Sequence, residues 1–352
     1  MTRIADVSLL RMLLRFREPV RHAGAWRTTQ EVAILRLATD DGVVGHGEVA
    51  GPTLPGDIEA GVVRIRRELL GTGVSDIGSI EGPLGAAVDT AVLDVLGRIE
   101  GHSVATLLGG GVGSVGVNAL LIVSGTPDQD ATAARALVDA GYLTLKLKPS
   151  ASGSRTGASL RAIRDAVGPG IALRLDLNGQ LTEADAIEWL MTLASIGLEY
   201  VEQPIAPSLG SVALARVRCS IPMPLAADES VTDRAAAVVL LDAGACDVLV
   251  VKPSRVGGPR ASVRLARAAT AAGVAVTIST MYESGIGLAA ALHVAATLPG
   301  DRAHGLGTLG LLESDLIGGS LPIVAGRMSL PPGAGLGVTL DPASSLAQRV
   351  GA

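Results

Sequence analysis

Three acidic residues recur at a fixed interval: Asp176, Glu202 and Asp228 stand 26 residues apart in both steps. Each closes a short, largely apolar run of strand length. Three carboxylates brought to one point repel each other unless a cation lies between them. Hard oxygen donors in this number suit Mg²⁺ or Mn²⁺ and leave octahedral positions for water and substrate. Lysines stand on both sides of the trio. Lys146 and Lys148, separated by Leu147, point to the same side of an extended segment. Lys252 closes the apolar run that follows Asp228. An ammonium near a divalent cation and a second ammonium gives up its proton more readily, which suits a general base.

Something must carry these residues to one place, and the pattern around them supplies it. Short strand-like runs at 117–122, 144–148, 173–178, 200–202, 225–228, 248–252, 274–279 and 303–306 alternate with helical stretches. A strand–helix unit repeating every 24–28 residues, about eight times, predicts a closed parallel (β/α) barrel, here (β/α)7β. Barrel enzymes build their sites at the C-terminal ends of the strands, where all six residues fall. A doubly wound open sheet is the alternative on spacing alone. Before the barrel, residues 4–14 and 32–37 alternate with period two, and Asp41-Gly42 marks a hairpin turn before 43–48. Helical stretches at 57–70 and 84–100 follow, giving an α+β cap. The expected organisation is a cap over 1–112, the barrel over 113–315, and a Gly- and Pro-rich tail over 316–352 that returns to complete the cap.

Composition limits the partners. Of 352 residues 48% are apolar, while one Phe, two Trp and three Tyr leave the core to Ala, Val, Leu and Ile. The net charge of −5 arises from interspersed charges, with no basic block to neutralise phosphates, which argues against nucleic acid. Residues 101–127 lack charge but contain seven glycines, so they read as helix end, turn and strand, and no membrane association is expected. Arg3, Asp6 and Arg11 interrupt any N-terminal apolar run, so no signal peptide is expected. Cys219 and Cys246 have neither metal nor disulfide spacing, read as core thiols and fit a reducing cytoplasm. Trp189 reads as core packing, and His46, His102 and His293 as structural.

Five segments, Leu145-Lys146-Leu147-Lys148, Asp176-Leu177-Asn178, Val201-Glu202-Gln203-Pro204, Ala227-Asp228-Glu229-Ser230 and Val251-Lys252-Pro253, resemble in order and spacing the muconate-lactonizing subgroup of the enolase superfamily. The resemblance covers nearly the whole chain, with Gly45-His46-Gly47-Glu48 similar to the end of the cap's third strand. It implies that Asp176, Glu202 and Asp228 bind Mg²⁺, and that Lys148 and Lys252 act on opposite faces of a small carboxylate substrate. Lys146 would tune Lys148, and Asn178 and Glu229 would support the ligands. The mandelate racemase pattern is absent, because Ser279-Thr280-Met281-Tyr282-Glu283 stands where that pattern has a histidine. Ser279 and Glu283 become candidate substrate or supporting groups.

Within the subgroup, residues 117–121, Glu283-Ser284-Gly285-Ile286-Gly287 with His293, and residues 304–308 resemble o-succinylbenzoate synthases, which eliminate water from a cyclohexadiene hydroxy acid. Muconate cycloisomerases and N-acylamino acid racemases remain alternatives. The aromatic and basic segment from Arg15 to Trp26 matches the place where this family keeps a mobile loop over the site, which makes Trp26 a candidate substrate contact. Readings from other classes are a Schiff-base aldolase using Lys252 and a non-catalytic binding protein. The first leaves the acid trio unexplained, and the second would be marked by a missing ligand or lysine. A homo-oligomer is left open.

Overall fold

The computed structural model describes residues 2–341 apart from 23–24, 52–53, 55, 83, 112 and 151–153. The chain opens with β1 (Ile4–His22), β2 (Ala25–Thr39) and β3 (Val44–Val49), an antiparallel sheet in that order. Helices α1 (Ile58–Leu69) and α2 (Gly85–Glu100) cover one face. The consecutive apolar residues Val32 to Leu35 are all fully buried. Ala33 and Leu35 enter the core beneath α1 and α2, whereas Val32 and Ile34 face the opposite way and join the barrel core. An unbroken apolar run is what a strand buried on both faces requires. A Cβ at Gly47 would lie 1.9 Å from the Ala87 carbonyl, so β3 rests on α2 at a distance only glycine permits.

After the short α3 (Val104–Leu107) and β4 (Ser114–Gly116), strands and helices alternate. They are β5 (Ala119–Val123), α4 (Pro127–Asp139), β6 (Thr144–Pro149), α5 (Ser154–Val167), β7 (Ala172–Asp176) and α6 (Glu183–Met191). Then come β8 (Tyr200–Glu202), α7 (Gly210–Ser220), β9 (Leu225–Ala227), α8 (Arg234–Asp242) and β10 (Val248–Val251). The series ends with α9 (Pro253–Val256), α10 (Pro259–Ala271), β11 (Ala275–Ile278) and α11 (Gly285–Ala295). Strands β5 to β11 are all parallel, and each pairs with its successor. The order never reverses, which overturns the doubly wound alternative. No helix among the described residues is long and apolar enough to cross a membrane.

Three expectations need correction. The eighth strand, expected at 303–306, is not a ladder; two parallel bridges, Val117 to His304 and Ser279 to Gly305, close the sheet. Gly305 makes the seam tight, since a Cβ there would meet Ser279 Oγ at 2.7 Å. The segment from Arg15 to Trp26 was read as a loop, but β1 and β2 run through it, and its Ala23 and Gly24 lie outside the described residues. Its register breaks between Arg15 and Val20, which pair with Thr29 and Arg27, so more residues stand on β1 than on β2 there. Cys219 is exposed on α7, while Cys246 is buried as expected. Position 219 falls on a helix face that no other element covers enough to hide it.

Strand β12 (Ile323–Val324) pairs with β13 (Arg327–Ser329), which in turn pairs with β4. Farther on, the Leu336 amide donates to Asp94 Oδ1 on α2 at 2.8 Å, and Arg98 donates to the Val338 carbonyl at 2.8 Å. The returning segment therefore touches both β4 and the cap helices.

Candidate active site

Asp176 and Glu202 are the last residues of β7 and β8 and pair directly across the sheet. Asp228 follows the end of β9. All three side chains are buried. Lys146 on β6 places its Nζ 2.7 Å from Glu202 Oε1 and 2.9 Å from Asp176 Oδ2. Lys252, immediately after β10, donates to Asp228 Oδ1. The strand order sets β7, β8 and β9 between β6 and β10, so lysines flank the acids on both sides. Lys148 is two residues beyond Lys146 on the same face. Among the described residues it makes no ion pair.

Burial and charge oppose each other here. Burial draws the Lys146 ammonium down, but Asp176, Glu202 and Asp228 outweigh it and hold it well above its ordinary value. Burial raises Glu202, and the pull of Lys146 only partly offsets burial and the two neighbouring acids. For Asp228 burial is outweighed by Lys252 and Lys146, and its carboxyl is lowered. The two ends of the Lys146–Glu202 pair thus favour different charge states. Lys146 shares itself between two acids, so we take it as charged and Glu202 as under-compensated.

Asn178 and Glu229 lie beside the acids. Asn178 donates its backbone amide to Asp176 Oδ1 at 3.1 Å and its Nδ2 to Glu229 Oε1 at 2.9 Å. Asn178 Oδ1 and Glu229 Oε2 are buried without a donor among the described residues. Glu229 is raised by burial and by the charges of Asp228 and Asp176. Among the described residues no three acid, imidazole or thiol groups form a ready metal cage, since the lysine ammoniums lie against the carboxylates. Even so, a site with three buried acids, a fourth beside them and two acceptor atoms lacking donors is short of positive charge. Its hard oxygen donors fit a divalent cation.

The remaining candidates are placed differently. Ser279 lies at the barrel seam, its Oγ 3.4 Å from the Gly305 carbonyl. Glu283 is buried and faces protein: it accepts from Ser254 Oγ at 2.8 Å and from the Met281 amide. Trp26 is 71% exposed on the outer hairpin. The hairpin reaches the barrel through other residues. Phe16 bridges to Leu312, and the Arg15 carbonyl accepts from the Glu313 amide at 2.9 Å.

Three residues escaped sequence reasoning. Tyr282 meets Phe16 edge-on, with ring centroids 5.2 Å apart at 83°. Its hydroxyl is raised by burial, and the charge of Lys146 partly offsets that. Its φ of 78° is costly for a bulky residue, and such strain gathers at functional sites. Gln203 accepts from the Asp228 and Ser230 amides, both at 3.1 Å, and so fixes the turn carrying Asp228. Arg174, fully buried and paired with Lys146 across β6 and β7, bonds Glu199 at 2.7 Å and Asn118 at 3.2 Å and lies 4.8 Å from the Tyr200 ring centre. The signals were faint: rarity of tyrosine, a glutamine inside an acid motif, and an arginine inside an apolar strand.

Comparison with known proteins adds to this geometry. A family described as Enolase C-terminal domain-like matches residues 129–344. Muconate cycloisomerase 1 of Rhodococcus opacus is 30% identical over 97% of this chain and 95% of its own. The o-succinylbenzoate synthase of Thermobifida fusca is 39% identical, over 52% of this chain and 57% of its own. The structure of muconate lactonizing enzyme from Pseudomonas fluorescens complexed with muconolactone superposes with a TM-score of 0.89 at 28% identity, covering 99% of this chain and 100% of that one. The dipeptide epimerase of Enterococcus faecalis, complexed with Mg and the dipeptide L-Leu-L-Tyr, gives 0.85 at 28% identity over 96% of this chain and 99% of that one.

Proposed function

Because this chain belongs to the enolase superfamily, in its muconate-lactonizing branch, we propose that it removes a proton alpha to a carboxylate and, as an o-succinylbenzoate synthase, eliminates water. The observation that carries this reading is the unequal engagement of the three lysines. Lys146 and Lys252 are held against buried carboxylates, whereas Lys148 has no such partner among the described residues. A side chain not tied to a carboxylate is the one free to meet the substrate's α-hydrogen; the paired ammoniums act as fixed cations. Asp176, Glu202 and Asp228 would hold a Mg²⁺ or Mn²⁺ ion, which supplies positive charge where the substrate carboxylate gains negative charge.

Lys148 Nζ takes the α-proton of the cyclohexadiene hydroxy acid. The electron pair forms the new ring double bond as the neighbouring C–O bond breaks. The leaving hydroxide takes up the proton on the same face and departs as water, leaving an aromatic ring. Lys252, across the acid strands, holds its charge near the opposite face. Identity to the synthase over half the chain favours this reading. Identity to a muconate cycloisomerase over nearly the whole chain favours a second one, in which the same proton transfer runs toward ring closure or its reversal.

Solvent-deuterium exchange at the α-carbon tests the division of labour. Lys148→Ala should abolish both turnover and exchange, and Lys252→Ala should cripple turnover. Retained activity in Lys148→Ala would sink the assignment of the base. Exchange into both enantiomers of an N-acyl amino acid, at a rate near turnover, would replace the synthase with a two-base racemase.

A further inference from the structure

We infer that Leu120 and Ile122, the inward-facing side chains of β5, form an apolar wall that selects carboxylates carrying a ring or hydrocarbon face on the Lys148 side. This rests on the proposal that Lys148 works on the substrate.

The side chains of β5 divide cleanly. Ala119, Leu121 and Val123 are buried in the barrel core, under the surrounding helices. Leu120 and Ile122 are 47% and 52% exposed, and neither joins a hydrophobic cluster. Parallel register settles which way they point. Leu120 pairs with Lys146 and Ile122 with Lys148, and residues paired across parallel strands share a face. Lys146 reaches Asp176 and Glu202, so that face is the inside of the barrel mouth. Below them on the same column, Asn118 is buried and bonded to Arg174, which seals the floor.

The inward residues at the tops of β6 to β8 are charged, and the acids among them are buried. Two large aliphatic side chains left half open beside them keep half their apolar surface in water, which is unfavourable. A polar substrate would leave them so. A substrate with an apolar face would cover them while its carboxylate reached the acids and lysines. A ring that becomes aromatic, as in the proposed elimination, has such a face.

Equilibrium binding of two carboxylates, phenylacetate and lactate, measured by calorimetry with saturating Mg²⁺, tests the wall. Wild type should prefer phenylacetate. Ile122→Ser and Leu120→Ser should each weaken phenylacetate about tenfold and leave lactate within about twofold. Ile122→Val, which keeps the fold if serine does not, should weaken phenylacetate by up to about fourfold, the equivalent of one methylene. Equal weakening of both ligands, or unchanged binding of phenylacetate in all three variants, would overturn the inference. α-Carbon exchange in wild type keeps the two proposals separate. Exchange without discrimination between the ligands means that the wall fails and the reaction stands. Discrimination that the variants abolish, without any exchange, means that the reaction fails and the wall stands.

Discussion

Glu48 joins the cap to the barrel, and its ionisation should be visible in the stability of the whole protein. It is the second-last residue of β3 and is 5% exposed. Its Oε1 accepts from the Ser284 amide at 2.8 Å, and its Oε2 accepts from Ser284 Oγ at 2.5 Å and the Gly287 amide at 2.9 Å. These donors form the N-terminal turn of α11, a place that favours negative charge. Burial nevertheless dominates, with Glu283 adding to it, and the carboxyl rises from 4.5 to about 7. The native state therefore holds this proton more tightly than the unfolded chain. Its contribution is fully present below pH 4.5 and is lost as the pH rises through about 7. At about 1.4 kcal/mol per pH unit, this amounts to about 3 kcal/mol. Glu48→Gln cannot ionise. Urea unfolding of wild type and variant from pH 4.5 to 8 should show wild type losing about 3 kcal/mol relative to the variant. Any fixed cost of placing an amide among three donors cancels in that difference, as do the contributions of buried acids remote from Glu48. Parallel stability curves, within about 0.5 kcal/mol across the range, would refute the reasoning.

If the acid cluster holds a divalent cation as proposed, EDTA should abolish turnover and Mg²⁺ or Mn²⁺ restore it, while Asp228→Asn should weaken Mg²⁺ binding in a calorimetric titration. Full activity after rigorous metal removal would rule this out. Arg174→Met should cost about 3 kcal/mol in urea unfolding, because Glu199 and Asn118 lose a buried partner. Arg302, at the surface side of Glu199, replaces only part of that interaction. A loss below about 1 kcal/mol would mean that the barrel floor tolerates an apolar replacement.

The acids and lysines were legible in the sequence because a parallel barrel turns a constant repeat into constant height. Each strand end then becomes a position in space, and the 26-residue register of Asp176, Glu202 and Asp228 needed no further information. The missed residues depend on partners remote in sequence. Tyr282 gains its meaning from a backbone turned to positive φ and from Phe16, and Phe16 reaches it only because the hairpin register breaks at Arg15. Arg174 looked like an exception in an apolar strand until Glu199, Asn118 and Tyr200 surrounded it. Leu120 and Ile122 alternate as any strand residues do, and only the open space before them sets them apart. Glu283 stands as a substrate or supporting candidate from its motif alone, and only the fold shows that its carboxylate accepts from Ser254 and Met281.

The bond between Leu336 and Asp94 joins residues 242 positions apart. A ribosome adds about 5–20 residues per second, so the α2 carboxylate emerges roughly 12–50 s before its partner exists. Throughout that interval the nascent chain carries a cap whose Asp94 lacks the amide and whose α2 lacks the cover that the returning segment provides. The cap helix α2 is thus made well before the segment that completes its bonding, and the barrel strands are synthesised in between. A circular permutant that places residues 316–341 directly ahead of β1 would remove the wait without changing a single native contact in the segment's destination. Comparing its yield with that of the parent at rising temperature would measure what vectorial synthesis costs this fold.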